Sequence, residues 1–186
     1  MRKYLGLLCA ASMALPVLAI TAQPAAAAPV VTCTKAAGTA TFKPGLPPIG
    51  NNTKVKSKLT STGTVSGCTG SGHVTGGKTK FVQTSASTGA NCTTLATPKP
   101  SSPPTKGTLT ITWNNNKGVS TAKGTAIKQT KATEANITGK ITSGKFVGKT
   151  FKATVTFKVP QDGSCSSKPL TKVTYTNKSG TKTTIG

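Results

Sequence analysis

The stretch GKTFKATVTFKVP, residues 148–160, decides the fold class of this chain. Apolar side chains occupy every second position, and lysines and threonines occupy the positions between them. The apolar set is Phe151, Ala153, Val155, Phe157 and Val159, and the polar set is Lys152, Thr154, Thr156 and Lys158. A period of two predicts a β-strand with one buried face and one solvent-exposed face.

The same alternation recurs along the chain, between clusters of Gly, Asn, Ser and Pro. The predicted strands are VVTCTK, GTATFKPG, TKVKSKLTSTGTVSGC, HVTG, KTKFVQTSA, CTTLAT, GTLTITWN, GVSTAKGTAIKQT, EANITGKITSG and TKVTYTN. A Pro-rich connector at 97–107 could divide the chain, but each half holds too few apolar residues to fold well alone. We therefore expect one all-β domain over 29–186, a single β-sandwich or small barrel of antiparallel strands.

The first residues predict export. Arg2 and Lys3 precede an apolar stretch from Leu5 to Ile20, and a run of small residues follows. This order is typical of a secretory signal peptide over residues 1–28, with cleavage between residues 22 and 28. Cys9 would leave with that peptide. The remaining chain is expected to be secreted and at most loosely associated with the cell wall.

Four cysteines remain after that cleavage, and an even number in an exported chain predicts two disulfides. They are Cys33, Cys68, Cys92 and Cys165. Four cysteines allow three connectivities, and the sequence alone does not choose among them; the pairing we expect is Cys33–Cys68 and Cys92–Cys165. A zinc site is disfavoured because the cysteines lie far apart and the chain has a single histidine. No metal or other cofactor is expected, and with few large apolar residues the core should depend on its disulfides.

Acidic side chains and histidine are scarce. Glu134 and Asp162 are the two acidic residues and His73 is the histidine, so few groups could serve in acid–base chemistry. Asp162 lies in an Asp-Gly turn, where it is expected to bond the local backbone. Glu134 is expected to pair with Lys128 or Lys131. No catalytic residues are predicted, and an enzyme is the least favoured function.

Trp113 allows two interpretations. Its three asparagine neighbours would suit a platform on which a sugar stacks. However, Leu109, Ile111 and Trp113 alternate along one strand face, which favours a core position. The alternative function is a carbohydrate- or protease-binding module. It would use Trp113 or a disulfide-framed loop such as CSSKPL, whereas the favoured function, association with anionic polymers, follows from the net charge.

Charge is the most extreme property of the composition. The formal net charge is +22 at pH 7, and every basic residue beyond the signal peptide is a lysine. Such a field attracts anionic polysaccharide, wall or host polymers and anionic lipid surfaces. Sequence-specific nucleic-acid binding is not expected, because arginine and aromatic residues are what such recognition uses. The densest basic segment gives the candidate polyanion-binding residues, Lys140, Lys145, Lys149, Lys152 and Lys158. The same lysines could equally serve only to protect strand edges and keep the protein soluble.

Three segments carry a family resemblance. VTCT near the mature start, GTLTITWNN in the middle, and ITGKITSGKFVGKTFKATVTF before the last cysteine resemble a group of small secreted actinobacterial β-rich proteins of unassigned function. The resemblance implies an exported all-β fold and supplies no catalytic residues. The lysine content here is heavier than is expected for that group.

Overall fold

The computed structural model describes residues 30–51, 53, 55–99 and 102–186. The predicted signal peptide lies outside these residues. The strands are β1 Val31–Leu46, β2 Val55–Gly70, β3 Gly76–Gln83, β4 Ser87–Ala90, β5 Thr105–Trp113, β6 Val119–Lys131, β7 Glu134–Lys140, β8 Ser143–Gly144, β9 Thr150–Lys158, β10 Leu170–Asn177 and β11 Thr183–Ile185. A short helix, α1, spans Cys92–Ala96, and a 3₁₀ turn spans Ser71–His73.

The strands close into an antiparallel barrel with eight strand positions around its circumference. Strands β1, β2, β3, β5, β6, β7 and β9 each pair with the next. The last place is shared, because β10 and β11 both pair with β9 and with β1. Closure pairs the edges that an open sheet would expose. The predicted all-β fold and its small-barrel form are confirmed.

The strand predicted from the alternation at residues 148–160 is confirmed as β9. Phe151, Val155 and Phe157 are buried in the barrel, whereas Lys152 and Lys158 are exposed on its outer surface. Inward side chains of the other strands, of α1 and of two connecting loops join those of β9 in two groups. The basal core comprises Val31, Cys33, Val65, Cys68, Val74, Phe81, Leu109, Ile111, Trp113, Ala122, Ile141, Phe151, Ala153 and Ile185. The rim cluster comprises Ala40, Leu46, Cys92, Ala135, Val155, Phe157, Leu170 and Val173.

Both predicted disulfides are confirmed. Cys33 and Cys68 face each other across β1 and β2, at a separation of 35 residues in sequence. Cys92 and Cys165 join the start of α1 to the loop that follows β9, at a separation of 73 residues. Within the described ranges, we find no helix with the length and hydropathy needed to span a membrane.

Two predicted strands are wrong. CTTLAT forms α1, because Asn91 caps the helix: its Oδ1 accepts from the Thr94 amide at 2.8 Å, and the Thr94 hydroxyl accepts from the Asn91 amide at 3.2 Å. HVTG begins in the 3₁₀ turn, and β3 starts only at Gly76. The Pro-rich connector is also shorter than predicted, since its last residues, 105–107, belong to β5.

Candidate ligand-binding cavity

A cavity of about 880 Å³ lies inside the barrel. Its walls come from the inward faces of β1, β2, β6, β7, β9 and β10, and most of the side chains on them are apolar. Those that shape it most are Phe42, Leu59, Ile127, Ile137, Val155 and Phe157. The volume lies within the range of about 300–1,000 Å³ that is usual for small-molecule sites.

The cavity lies in the rim half of the barrel, because five of the eight rim-cluster residues line it and none of the basal-core residues does. Leu59, Ile127 and Ile137 pack partly against both groups, and all three are only half-buried although they point into the barrel. An eight-stranded barrel is just wide enough to be filled by side chains or to hold one small ligand. Here the basal half is filled and the rim half is not.

Segments outside the barrel strands line the outer end of the cavity. They include residues of β4 and α1 and the prolines that precede β5. Of these segments, α1 is fixed by the Cys92–Cys165 disulfide and by the Cys92 amide, which donates to the Pro47 carbonyl at 3.0 Å. The Gln129 side chain also donates to the Leu95 carbonyl at 2.5 Å. The cavity therefore has a tethered outer wall.

The cavity surface carries little charge. Lys106 is the one charged side chain among the described residues that line it, and Lys106 is exposed. Gln83 is buried in the wall, but its Oε1 accepts from the Leu59 amide at 2.7 Å and its Nε2 donates to Ser87 Oγ at 2.8 Å. Because burying an unpaired charge is costly, such a surface favours an uncharged, largely apolar molecule.

The two acidic residues lie outside the cavity. Glu134 pairs with Lys178 at 3.0 Å and with Lys131 at 3.6 Å, and the hydrogen bond from Lys178 holds the pKa of Glu134 below its usual value. The predicted Lys131 partner is confirmed, and Lys178 was missed because it is distant in sequence. Asp162 accepts from the Ser164 hydroxyl and amide, which lower its pKa.

His73 is exposed in the 3₁₀ turn, with a φ of 51°. His73, Glu134 and Asp162 lie on three separate elements, and none of them lines the cavity. Across the described part of the chain, no group of three or more His, Cys, Asp or Glu side chains is placed to hold a metal ion.

Trp113 belongs to the basal core. It is 3% exposed, its Nε1 donates to Ser120 Oγ at 2.8 Å, and its ring meets Phe146 edge-on at 5.6 Å between centroids. The core interpretation is confirmed. The sugar-platform interpretation is wrong, because no face of the indole is open for stacking.

The five candidate polyanion-binding lysines do not form one compact patch. Lys140 and Lys152 are diagonal neighbours on the outer surface, since Lys140 pairs with Thr150 and Lys152 with Thr138. Lys158 lies six residues beyond Lys152, which is about 20 Å along the strand.

Lys145 and Lys149 lie in the loop between β8 and β9. Lys149 is exposed, but Lys145 is half-buried and its Nζ lies 5.4 Å from the centroid of the Phe146 ring.

Lysines surround the whole barrel. Every barrel strand among the eight carries at least one exposed lysine: Lys35, Lys43, Lys56, Lys58, Lys78, Lys80, Lys106, Lys123, Lys128, Lys131, Lys140, Lys152, Lys158 and Lys172. Many face threonine across the sheet, as Lys78 does on both sides, with Thr64 and Thr112. Lys43 and Lys58 are directly opposite each other. The positive charge is therefore spread around the surface.

Two features can carry a function: a largely apolar cavity inside the barrel and a lysine-covered surface outside it. The cavity was missed at the level of sequence, because no motif marks it. Comparison of the chain with protein-family models, with curated proteins and with solved structures finds no match, so the cavity and the surface are the basis for assigning a function.

Proposed function

We propose that this protein is a non-catalytic, secreted binding protein that takes up an apolar small molecule inside its barrel. The observation that carries the proposal is the cavity of about 880 Å³ in the rim half of the barrel. Secretion is supported by the signal-peptide pattern and by the two disulfides, which persist in oxidising compartments.

The driving force for uptake is the hydrophobic effect. At about 30 Å³ for each water molecule, the cavity would hold on the order of thirty waters against mostly apolar walls. A ligand that replaces these waters removes apolar surface from water on both partners, which is worth about 25 cal/mol for each Å² buried. The closed barrel supplies a preformed site, so little conformational entropy is lost on binding.

The proposal is tested with N-phenylnaphthylamine, a neutral probe whose fluorescence rises in apolar surroundings. Ile137→Trp would place an indole in the cavity, because Ile137 points inward from β7. The neighbouring Asn136→Trp would place the same side chain on the outer surface, because Asn136 is exposed. We expect Ile137→Trp to weaken probe binding at least about tenfold and Asn136→Trp to leave it within about twofold of the original affinity.

Thermal unfolding of both variants verifies that each is folded. Saturable binding that Ile137→Trp removes and Asn136→Trp retains supports uptake into the barrel. Absence of saturable binding to the original protein, or equal losses in the two variants, overturns the proposal.

Charge supports a second candidate function, association with anionic wall or host polymers. Both ion pairs seen in the described residues involve Glu134, so most of the lysine charge has no acidic neighbour to offset it. A surface with lysines on every barrel strand would attract polyanions from all sides, with an affinity that falls as salt rises. The lysines 140, 145, 149, 152 and 158 would contribute to this field rather than form a separate pocket.

The distributed surface makes a specific prediction for elution from a heparin column. One variant replaces Lys140, Lys145, Lys149, Lys152 and Lys158 by glutamine, and a control replaces Lys35, Lys43, Lys80, Lys128 and Lys172. Because both variants lose the same charge, we expect them to elute at similar salt concentrations, both below that of the original protein. Much earlier elution of the first variant would show a local site instead, and unchanged elution of both would exclude charge as the cause of binding.

A further inference from the structure

Tyr175 occupies an unusual place in the cavity wall. It lies on β10 and points into the barrel, where its neighbour on β1 is Gly38. Gly38 in turn pairs with Gly63 on β2. A Cβ atom at either glycine would overlap the Tyr175 hydroxyl, so the phenol ring lies across two strands that offer no side chain in its way. The pair of glycines leaves the space that this hydroxyl occupies.

The hydroxyl has one described side-chain partner. Tyr175 Oη and Ser61 Oγ lie 3.4 Å apart, and both residues line the cavity. This distance is long for a hydrogen bond between hydroxyls, which usually measures about 2.7–2.8 Å. Each hydroxyl can donate one bond and accept others, so the pair retains both donor and acceptor capacity. The cavity wall thus holds one polar position in mostly apolar surroundings.

We propose that the Tyr175–Ser61 pair selects ligands that carry a hydroxyl group on an apolar body, such as aliphatic or aromatic alcohols. The inference rests on the proposed uptake of an apolar molecule and adds the polar group that the molecule bears. A ligand hydroxyl both donates and accepts, as the pair does, and can bond to both oxygens. A carboxylate is disfavoured there, because the one charged lining residue among those described, Lys106, is exposed at the outer end of β5.

The test compares octanol with chlorooctane, which has a similar apolar chain and no hydroxyl, as competitors of bound N-phenylnaphthylamine. Both are measured on the original protein and on the double variant Ser61→Ala, Tyr175→Phe, which removes only the two hydroxyls. We expect the double variant to bind octanol about tenfold more weakly, since one or two hydrogen bonds are lost, and to bind chlorooctane within about twofold of the original affinity. The control variant Thr62→Val, Thr174→Val removes two neighbouring outward hydroxyls and should leave both affinities unchanged.

The two proposals fail in different ways. If the probe does not bind, the proposed uptake fails. If the probe binds but octanol and chlorooctane weaken equally, or neither weakens, in the double variant, the cavity takes up apolar molecules without selection by the hydroxyl pair. Octanoate could also bind more tightly than octanol and lose that advantage in Lys106→Gln. This result would show that the polar end of the ligand lies near Lys106 at the outer rim, and it would overturn the assignment to Tyr175 and Ser61.

Discussion

Replacing Cys92 and Cys165 together by alanine is expected to lower the free energy of unfolding by about 4 kcal/mol. The bond closes a loop whose ends are 73 residues apart in sequence, and opening so long a loop restores much chain entropy to the unfolded state. It is also the covalent link that holds α1 to the loop after β9. We therefore expect this variant to lose affinity for N-phenylnaphthylamine as well as stability, because α1 lines the cavity.

The other disulfide is the matched control. Cys33→Ala with Cys68→Ala opens a loop of 35 residues and is expected to cost nearly as much, about 4 kcal/mol, because loop entropy grows only slowly with length. Both cysteines belong to the basal core, away from the cavity, so probe affinity should persist while the variant is folded. Urea unfolding followed by Trp113 fluorescence gives both free energies. A loss below about 1 kcal/mol in either variant would contradict the dependence on disulfides predicted from the thin core.

Trp113→Ala is expected to lower the free energy of unfolding by about 4 kcal/mol, as removal of a large buried aromatic side chain usually does. The indole fills the basal core, meets Phe146 edge-on and donates to Ser120. Its loss leaves a void that the closed sheet cannot collapse to fill. Far-UV circular dichroism in urea is the suitable measurement, because the variant has no tryptophan to report.

Trp113→Phe separates packing from hydrogen bonding at this position. Phenylalanine keeps most of the apolar volume and loses the N–H donor, while the Ser120 hydroxyl still donates to the Lys145 carbonyl. We expect a loss of about 1–2 kcal/mol, well below that of Trp113→Ala. Equal losses in the two variants would assign the stabilisation to the hydrogen bond instead of the packing.

Alternation predicted strands well where each strand keeps one face inward. Phe151, Val155 and Phe157 follow it without interruption, and they are buried as predicted. It fails in β1, where Cys33 and Ala36 both pack against the basal core although they are three positions apart, a spacing that puts side chains on opposite faces of a regular strand. Gly67 on β2 lies against Thr34 of β1 and has a φ of 61°, which is outside the extended range of a regular strand. The alternation between inward and outward side chains is therefore interrupted at this point. A period of two cannot anticipate this change, because it depends on the geometry of the paired strand.

The local sequence also predicted a strand where the structure has the helix α1. Its threonines favour a strand, yet Asn91 forms a capping box with Thr94 and the disulfide holds Cys92 at the rim. The five-residue helix is set by these anchors rather than by the helix propensity of its residues.

The amino-acid sequence by itself determined the all-β class, the expectation of two disulfides and the outward-facing lysines, since each depends on local alternation or on composition, and it favoured a core position for Trp113 over the alternative. Only the tertiary structure decided that the sheet closes, that Tyr175 lies across Gly38 and Gly63, and that Leu59, Ile127 and Ile137 face open space. These features depend on the distance between strands that are far apart in sequence. A cavity is the space left between such strands, and no single segment encodes it.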